Sequence, residues 1–457
     1  MHSKDVILRD KLSKLMYRMS LPGIMSMLVI SLNSFVDAVF AGRIIGADAL
    51  AGVSLSMPLL VVNSAITGFI SSGASNVLSH AIGNGNESVT KNIFTYVAFY
   101  TVGVSVVLGI LGFTYARPIM QLMGAEFRVL EEGIRYYKWM MAGSVTSIFG
   151  LGMSALIRAE GQMKFTMRVT SASVLINIIL NPLLMGYMGL GVMGSAWATI
   201  ISMGFYSAST LYYFLSGRSA ITINLKKFKA DIEIIRAISS VGISALIMQL
   251  NSFVRQVFLF KTVTLYNSSA DVAFFSAVFR IFSFSVIPIF GMLQAMQPIV
   301  GINYGAGNYE RSISALKLFR LACSSLMLMI LVPVFVFPTT LLSLILPNMA
   351  FSEQNIFHFR LLMCILPLAP IASTSVVFLQ ATRNAKIATY LALGREVLLF
   401  IPLLVLLPHL TGKNGIYYGL FIENVLYMLI VFFVVRRQTK TISLNTNRAH
   451  TSLNPAI

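Results

Sequence analysis

Apolar residues run along this chain in long, nearly unbroken stretches separated by short polar segments. A bilayer core of roughly 30 Å needs about 20 mostly apolar residues per helix. Twelve stretches meet that length, at residues 20–41, 50–78, 93–116, 138–157, 165–187, 191–215, 237–260, 271–299, 313–337, 358–381, 387–408 and 415–435. The pattern predicts an all-α integral membrane fold of twelve transmembrane helices. Before the first span come charged residues through Arg18, and Asp37 lies inside that span with no small-residue cleavage pattern. The segment therefore reads as a retained helix and not as a removed signal peptide.

Lys and Arg concentrate on the cytoplasmic side of membrane proteins, so their distribution orients the spans. With the N-terminus inside, the inner segments and their flanks carry 23 of them and the outer ones 8. Both termini are expected in the cytoplasm. Tyr136, Tyr137 and Trp139 before the fourth span, and Tyr417 and Tyr418 at the start of the twelfth, sit where interfacial aromatics belong at the outer face.

The polar positions within the spans expose an internal repeat. Leu32-Asn33-Ser34-Phe35-Val36-Asp37-Ala38-Val39-Phe40 in the first span returns in the seventh as Leu250-Asn251-Ser252-Phe253-Val254-Arg255-Gln256-Val257-Phe258, an offset of 218. Two further echoes lie 222 residues apart: Gly83-Asn84-Gly85-Asn86 with Gly305-Ala306-Gly307-Asn308, and Arg158-Ala159-Glu160-Gly161 with Gln380-Ala381-Thr382-Arg383. Six spans per repeat is even, so both halves enter the membrane in the same sense. Two pseudosymmetric six-helix lobes around a central cleft are expected: an N-lobe over 1–217, a cytoplasmic linker over 218–236 with Arg218, Lys226, Lys227 and Lys229, a C-lobe over 237–437, and a cytoplasmic tail over 438–457.

Composition sharpens this picture. Apolar residues make up 56% of the 457 and charged residues 11%, against about 45–50% and about 25% in soluble proteins. The net charge of +18 would suggest nucleic acid in a soluble protein, but here the basic residues are split among short loops, so no nucleic-acid partner is expected. Cys323 and Cys364 both fall inside apolar runs, which argues against disulfides and against a thiolate metal site. The His residues, at 2, 80, 358, 409 and 450, lack metal-ligand spacing. Gly412-Lys413 lacks the rest of a phosphate-binding loop, so ATP is not expected to drive the protein. The 25 Met residues suit packing and lipid contact, and a flexible ligand surface as well.

In this order and spacing the chain resembles the multidrug and toxic compound extrusion (MATE) family. The resemblance rests on Ser34-Phe35-Val36-Asp37, the loop Gly83 to Asn86, Arg158-Ala159-Glu160-Gly161-Gln162, Asn177-Ile178-Ile179-Leu180-Asn181-Pro182, and Gly191-Val192-Met193-Gly194-Ser195-Ala196, together with the six-plus-six spans. It implies a secondary transporter, not an enzyme, that exports cationic or amphipathic small molecules in exchange for protons or sodium ions and works as a monomer in a cell inner membrane. The flippases of lipid-linked oligosaccharides in the same superfamily are the alternative. Two departures stand out. Close family members often carry an acid where this chain has Asn181, and another branch carries acids in spans seven and ten, where this chain has Arg255 and no carboxylate, respectively.

Charged groups within a bilayer cost roughly 2.5–3.5 kcal/mol on insertion scales, so each is a functional candidate. Three acids lie well inside spans: Asp37, Glu396 and Glu423. Asn33 sits one turn from Asp37 on the same face, and Asn177 with Asn181 makes a second i, i+4 pair. These four are the candidate ion-coupling or substrate-binding site. Burial disfavours the charged form of a carboxylate, which brings protonation within reach, and the charged form attracts a cation. In the second lobe Arg255, Arg280, Glu396 and Glu423 are expected to form a charged network, because buried charges persist by pairing; an anion-attracting or gating role is the alternative. Arg395 and Glu396 are adjacent, about 100° apart around a helix, and are expected to point in different directions.

Overall fold

The computed structural model describes residues 2–44, 47–123, 126–219, 221, 231–347 and 349–452. Lys226, Lys227 and Lys229 of the expected linker and residues 453–457 of the expected tail lie outside them. The described residues are helical nearly throughout, with no strand among them.

The helices are α1 (His2–Arg9), α2 (Leu12–Ile44), α3 (Ala47–Asn84), α4 (Glu87–Thr114), α5 (Ala116–Leu122), α6 (Phe127–Ala142), α7 (Ser144–Ala159), α8 (Met163–Pro182), α9 (Gly191–Leu215), α10 (Ile232–Tyr266), α11 (Ser269–Gly305), α12 (Tyr309–Val336), α13 (Pro338–Ser343), α14 (Glu353–Met363), α15 (Ala369–Ala381), α16 (Ala385–Gly394), α17 (Ile401–Thr411) and α18 (Asn414–Ser452). Every expected span falls on one of these helices or on a broken succession of them. On length and apolarity, eight qualify as membrane crossings among the described residues, and α6 with α7, bent by 45°, makes a ninth. The remaining three expected spans lie on α3, on α9 and on α14 with α15. By the density of internal contacts the chain separates into two compact units, residues 21–246 with the first six, and residues 247–457 with residues 7–20.

Several spans are broken, each with a local cause. Gly143 separates α6 from α7. Pro182 has no N–H to give to the preceding turn, and the chain continues as a π turn over Leu183–Tyr187. In the second unit α16 passes through a π turn at Arg395–Phe400 before α17, where Pro402 follows. The fifth helix of each half therefore contains a π turn, at a different depth.

Where helices approach closely, small residues permit it, as membrane packing requires in the absence of a hydrophobic drive between helices. A Cβ on Gly52 of α3 would stand 2.7 Å from the backbone nitrogen of Gly133 on α6.

The repeat is written into the helix ends. The N–H of Asn86 donates to Ala81 O (2.9 Å) and that of Asn308 to Asn303 O (2.8 Å); Gln162 donates to Ile157 O (3.1 Å) and Asn384 to Leu379 O (2.9 Å). Each is the six-to-one bond that closes a helix whose next-to-last loop residue is left-handed. Those residues are Gly85 (φ +73°), Gly307 (+79°), Gly161 (+83°) and Arg383 (+62°). Three are glycine, and the fourth bears the Cβ crowding that disfavours this conformation by roughly 1–2 kcal/mol. Gly161→Ala is therefore expected to lower stability by roughly 1 kcal/mol, and Arg383→Gly to raise it by a few tenths after the added freedom of the unfolded chain is counted. Unfolding of the purified protein in detergent checks both; shifts of the same sign would contradict the equivalence of the two loops.

Candidate functional site

In the first unit the expected polar residues converge. Asp37 on α2 accepts hydrogen bonds from Asn33 Nδ2 at Oδ2 (2.9 Å) and from Asn181 Nδ2 at Oδ1 (2.5 Å). Asn181 Nδ2 also donates to Asn177 Oδ1 (3.0 Å). Asn177 in turn reaches Ser202 Oγ (3.4 Å) and Thr199 Oγ1 (3.5 Å) on α9. The stripe that does this is Ser173, Asn177 and Asn181, spaced i, i+4, i+8 along one face of α8 and buried against α9. Asn33 reaches Asp37 because the two lie one turn apart on α2.

Two features of this arrangement matter chemically. Among the described residues no Lys, Arg or His pairs with Asp37, so amide donors alone hold its charge. The carbonyl oxygens Asn33 Oδ1 and Asn181 Oδ1 are buried and have no hydrogen-bond partner among the described residues. A carboxylate needs donors and a carboxylic acid needs an acceptor for its O–H. Rotation of the Asn33 amide converts the first environment into the second, while Asn181 keeps its bond to Asn177. The site can hold Asp37 with or without a proton.

The second unit carries a different centre at the repeat-equivalent position. Arg255 on α10 contacts Glu423 on α18 through Nη2–Oε2 (2.6 Å) and Nη1–Oε1 (3.3 Å), and Glu396 Oε1 through Nη1 (3.2 Å). Arg395 Nε donates to Glu423 Oε1 (2.6 Å), and its Nη2 donates to Asn424 Oδ1 (2.8 Å). The guanidinium planes lie over aromatic faces, Arg255 over Phe400 (4.1 Å) and Arg395 over Tyr427 (4.5 Å). Glu423, with no exposed side-chain surface, is the shared acceptor of both arginines.

This cluster differs from the sequence expectation in one respect. Arg280 stands outside it, exposed on α11 and without an ion pair among the described residues. The inward position belongs to Phe279, packed against Phe260 (5.6 Å) and Phe275 (6.2 Å), and one residue further along a helix turns about 100° away. Arg395 and Glu396, expected to point in different directions, meet different partners: Arg395 reaches Glu423 and Asn424, whereas Glu396 reaches Arg255.

Thr199, Ser202 and Asn424 were not singled out from the sequence. Hydroxyl residues are common in membrane helices and satisfy themselves on their own backbone, so they give no signal. Asn424 had one, as an amide directly beside a buried acid. Glu160 had one too: it is an acid in a loop motif, and it proves buried, accepting from Tyr213 Oη (2.9 Å) and Ser219 Oγ (2.8 Å), so it ties the ends of α7 and α9 together.

Charged centres held inside the spans of a multi-pass helical protein mark functional sites. The family model MatE matches residues 22–183 and again residues 244–406, once in each half and in the register of the repeat, and the chain belongs to that family. The multidrug export protein MepA of Staphylococcus aureus (strain bovine RF122 / ET3-1) is 24% identical over 422 residues, covering 92% of this chain and 93% of that one. A FAD transporter of Shewanella oneidensis is 24% identical over 454 residues, covering 98% and 99%. Among solved structures, a MATE transporter crystallised in the bent conformation superposes with a TM-score of 0.92 at 22% identity, covering 98% of this chain and 99% of that one.

Proposed function

We propose that this protein exports cationic or amphipathic small molecules across a cell inner membrane, with both termini in the cytoplasm, and that exchange of a proton or sodium ion at Asp37 drives it. The observation that carries the reading is the acid of the first lobe: a carboxylate inside a span, paired with no cation among the described residues and bracketed by amides that serve either charge state. A centre of that kind has a place for one positive charge at a time, whether it comes from a coupling ion or from a substrate. The multidrug export protein among its relatives supports the substrate class.

Alternating access follows from linkage. If the cavity shapes facing the two sides differ in their affinity for the proton or ion at Asp37, then loading and release shift the population between them. The flippase alternative calls for an excess of positive charge to hold a multiply charged pyrophosphate. Arg255 and Arg395 are instead offset by Glu423 and Glu396, so the cluster has no such excess, which favours the exporter reading.

Efflux of a cationic dye from cells carrying the protein, with the proton gradient and the sodium gradient collapsed separately, tests this. Loss of efflux on collapse of one gradient alone is expected. Efflux indifferent to both would overturn the proposal.

A further inference from the structure

The second lobe contains a cavity of about 790 Å³, within the range of sites that enclose small organic ligands. Phe279, Phe282, Phe290, Leu259, Met248 and Met428 are among the apolar residues of its wall. Its polar side is formed by Arg255, Arg395, Asn424 and glutamines that include Gln256 and Gln297, whereas Glu396 and Glu423 do not line it. The acids thus stand behind the arginines and hold them, and the arginines face the space.

A purely structural ion cluster would be packed on all sides. Here both guanidiniums border open volume, and they retain donors. Arg395 uses Nε and Nη2, and Arg255 uses Nη1 and Nη2, which leaves Arg395 Nη1 and Arg255 Nε without hydrogen-bond partners among the described residues. A guanidinium offers five N–H donors and no acceptor. The geometry of planar donors fixed in place from behind suits a planar oxyanion. The aromatic and thioether wall suits a flat apolar body, since such side chains adapt to ring faces and edges.

We propose that this cavity is a second binding site, distinct from Asp37, that takes an aromatic amphiphile bearing one carboxylate, with the carboxylate against Arg395 and Arg255 and the ring among Phe279, Phe282 and Phe290. The two lobes then have opposite polarity at repeat-equivalent positions, an acid at Asp37 and a base at Arg255. The site stands whether or not Asp37 carries ion exchange.

A matched set of fluorescent probes tests the assignment: dansylglycine, dansylamide and dansylcadaverine share one ring system and carry negative, neutral and positive ends. Binding to the full-length protein is read from dansyl fluorescence in nanodiscs of zwitterionic lipid. Dansylglycine is expected to bind saturably and at least tenfold more tightly than the other two. Two variants separate the charge from the cavity. Arg395→Gln combined with Glu423→Gln keeps the cluster neutral, with Arg255 still on Glu396, and is expected to weaken dansylglycine about tenfold, one good charge-assisted contact, while leaving dansylamide unchanged. Ser283→Trp fills the cavity, which Ser283 lines, without touching a charge, and is expected to weaken both. Equal affinity for the three probes, an unaltered dansylglycine affinity in either variant, or no saturable binding would overturn the proposal.

Discussion

Glu423→Ala is expected to be the most damaging single substitution to the folded state, lowering stability by about 3–5 kcal/mol and sharply reducing the yield of monodisperse protein. Removing one member of a buried ion pair leaves its partner charged in a medium that solvates it poorly. Glu423 is the acceptor of two arginines at 2.6 Å each and has no exposed side-chain surface. Arg255 would keep its hydrogen bond to Glu396, but the hydrogen-bond and ring partners left to Arg395 among the described residues would be Asn424 and the face of Tyr427. The double substitution Arg395→Gln with Glu423→Gln removes one charge of each sign and is expected to recover most of that loss. Thermal unfolding monitored by size-exclusion fluorescence in detergent measures both; a Glu423→Ala protein as stable as the parent would show that the cluster is not what holds α10, α16 and α18 together.

The largest functional effect is expected at Asp37. Asp37→Asn keeps the size and the hydrogen-bonding capacity of the protonated acid but cannot release a proton or hold a cation by charge. Its amide fits the bracket of Asn33 and Asn181 after one amide rotation, because the carbonyl oxygens there have no hydrogen-bond partner among the described residues. Expression and folding should therefore survive, while cationic-dye efflux falls to about a tenth of the parent level or less, the effect of losing a bias of roughly 1.4 kcal/mol or more between two states. Asn181→Asp places a second carboxylate within hydrogen-bonding distance of the first, and two such groups titrate as a coupled pair. Efflux by that variant is expected to persist with an altered pH profile. A profile identical to the parent's would mean that residue 181 does not communicate with the coupling site, despite the 2.5 Å contact between Asn181 and Asp37.

What the sequence made legible was governed by the bilayer and by periodicity. The all-helical fold follows from apolar stretches of the right length, because a backbone in hydrocarbon has no other way to satisfy its polar groups. The repeat was legible because loop geometry constrains residue type: left-handed turns select glycine, so Gly85 and Gly307 mark corresponding loops. Arg383 in the same conformation shows why the third echo was faint, since the backbone was retained where the residue was not. The first-lobe site could be assembled from i, i+4 amide spacing alone, but its contact with α9 could not, because Thr199 and Ser202 resemble any other hydroxyl in a membrane helix.

The second-lobe cluster was legible in its membership of Arg255, Glu396 and Glu423 and not in its geometry. Arg395 and Glu396 take different partners, and what links them is Arg255, which reaches both Glu396 and Glu423 from another helix; the chain also passes through a π turn at that point. Nothing local in the sequence marks a π turn except a nearby proline, and Pro402 lies beyond its end. Arg280 was placed by depth along its helix, which fixes height in the membrane but not azimuth. Phe279 decides the azimuth, because an aromatic ring gains more from burial than the aliphatic stem of an arginine.

The claim that Asp37 carries the coupling is tested most directly in proteoliposomes that contain only this protein and a cationic dye. Uptake is followed while a proton gradient or a sodium gradient is imposed, and dye-for-dye exchange is followed with no gradient at all. The parent protein is expected to concentrate dye in response to one of the two gradients, and Asp37→Asn to exchange dye without responding to either. Gradient-driven accumulation by Asp37→Asn at the parent rate would contradict the account and place the coupling elsewhere, with Glu396 and Glu423 as the remaining acids inside the spans.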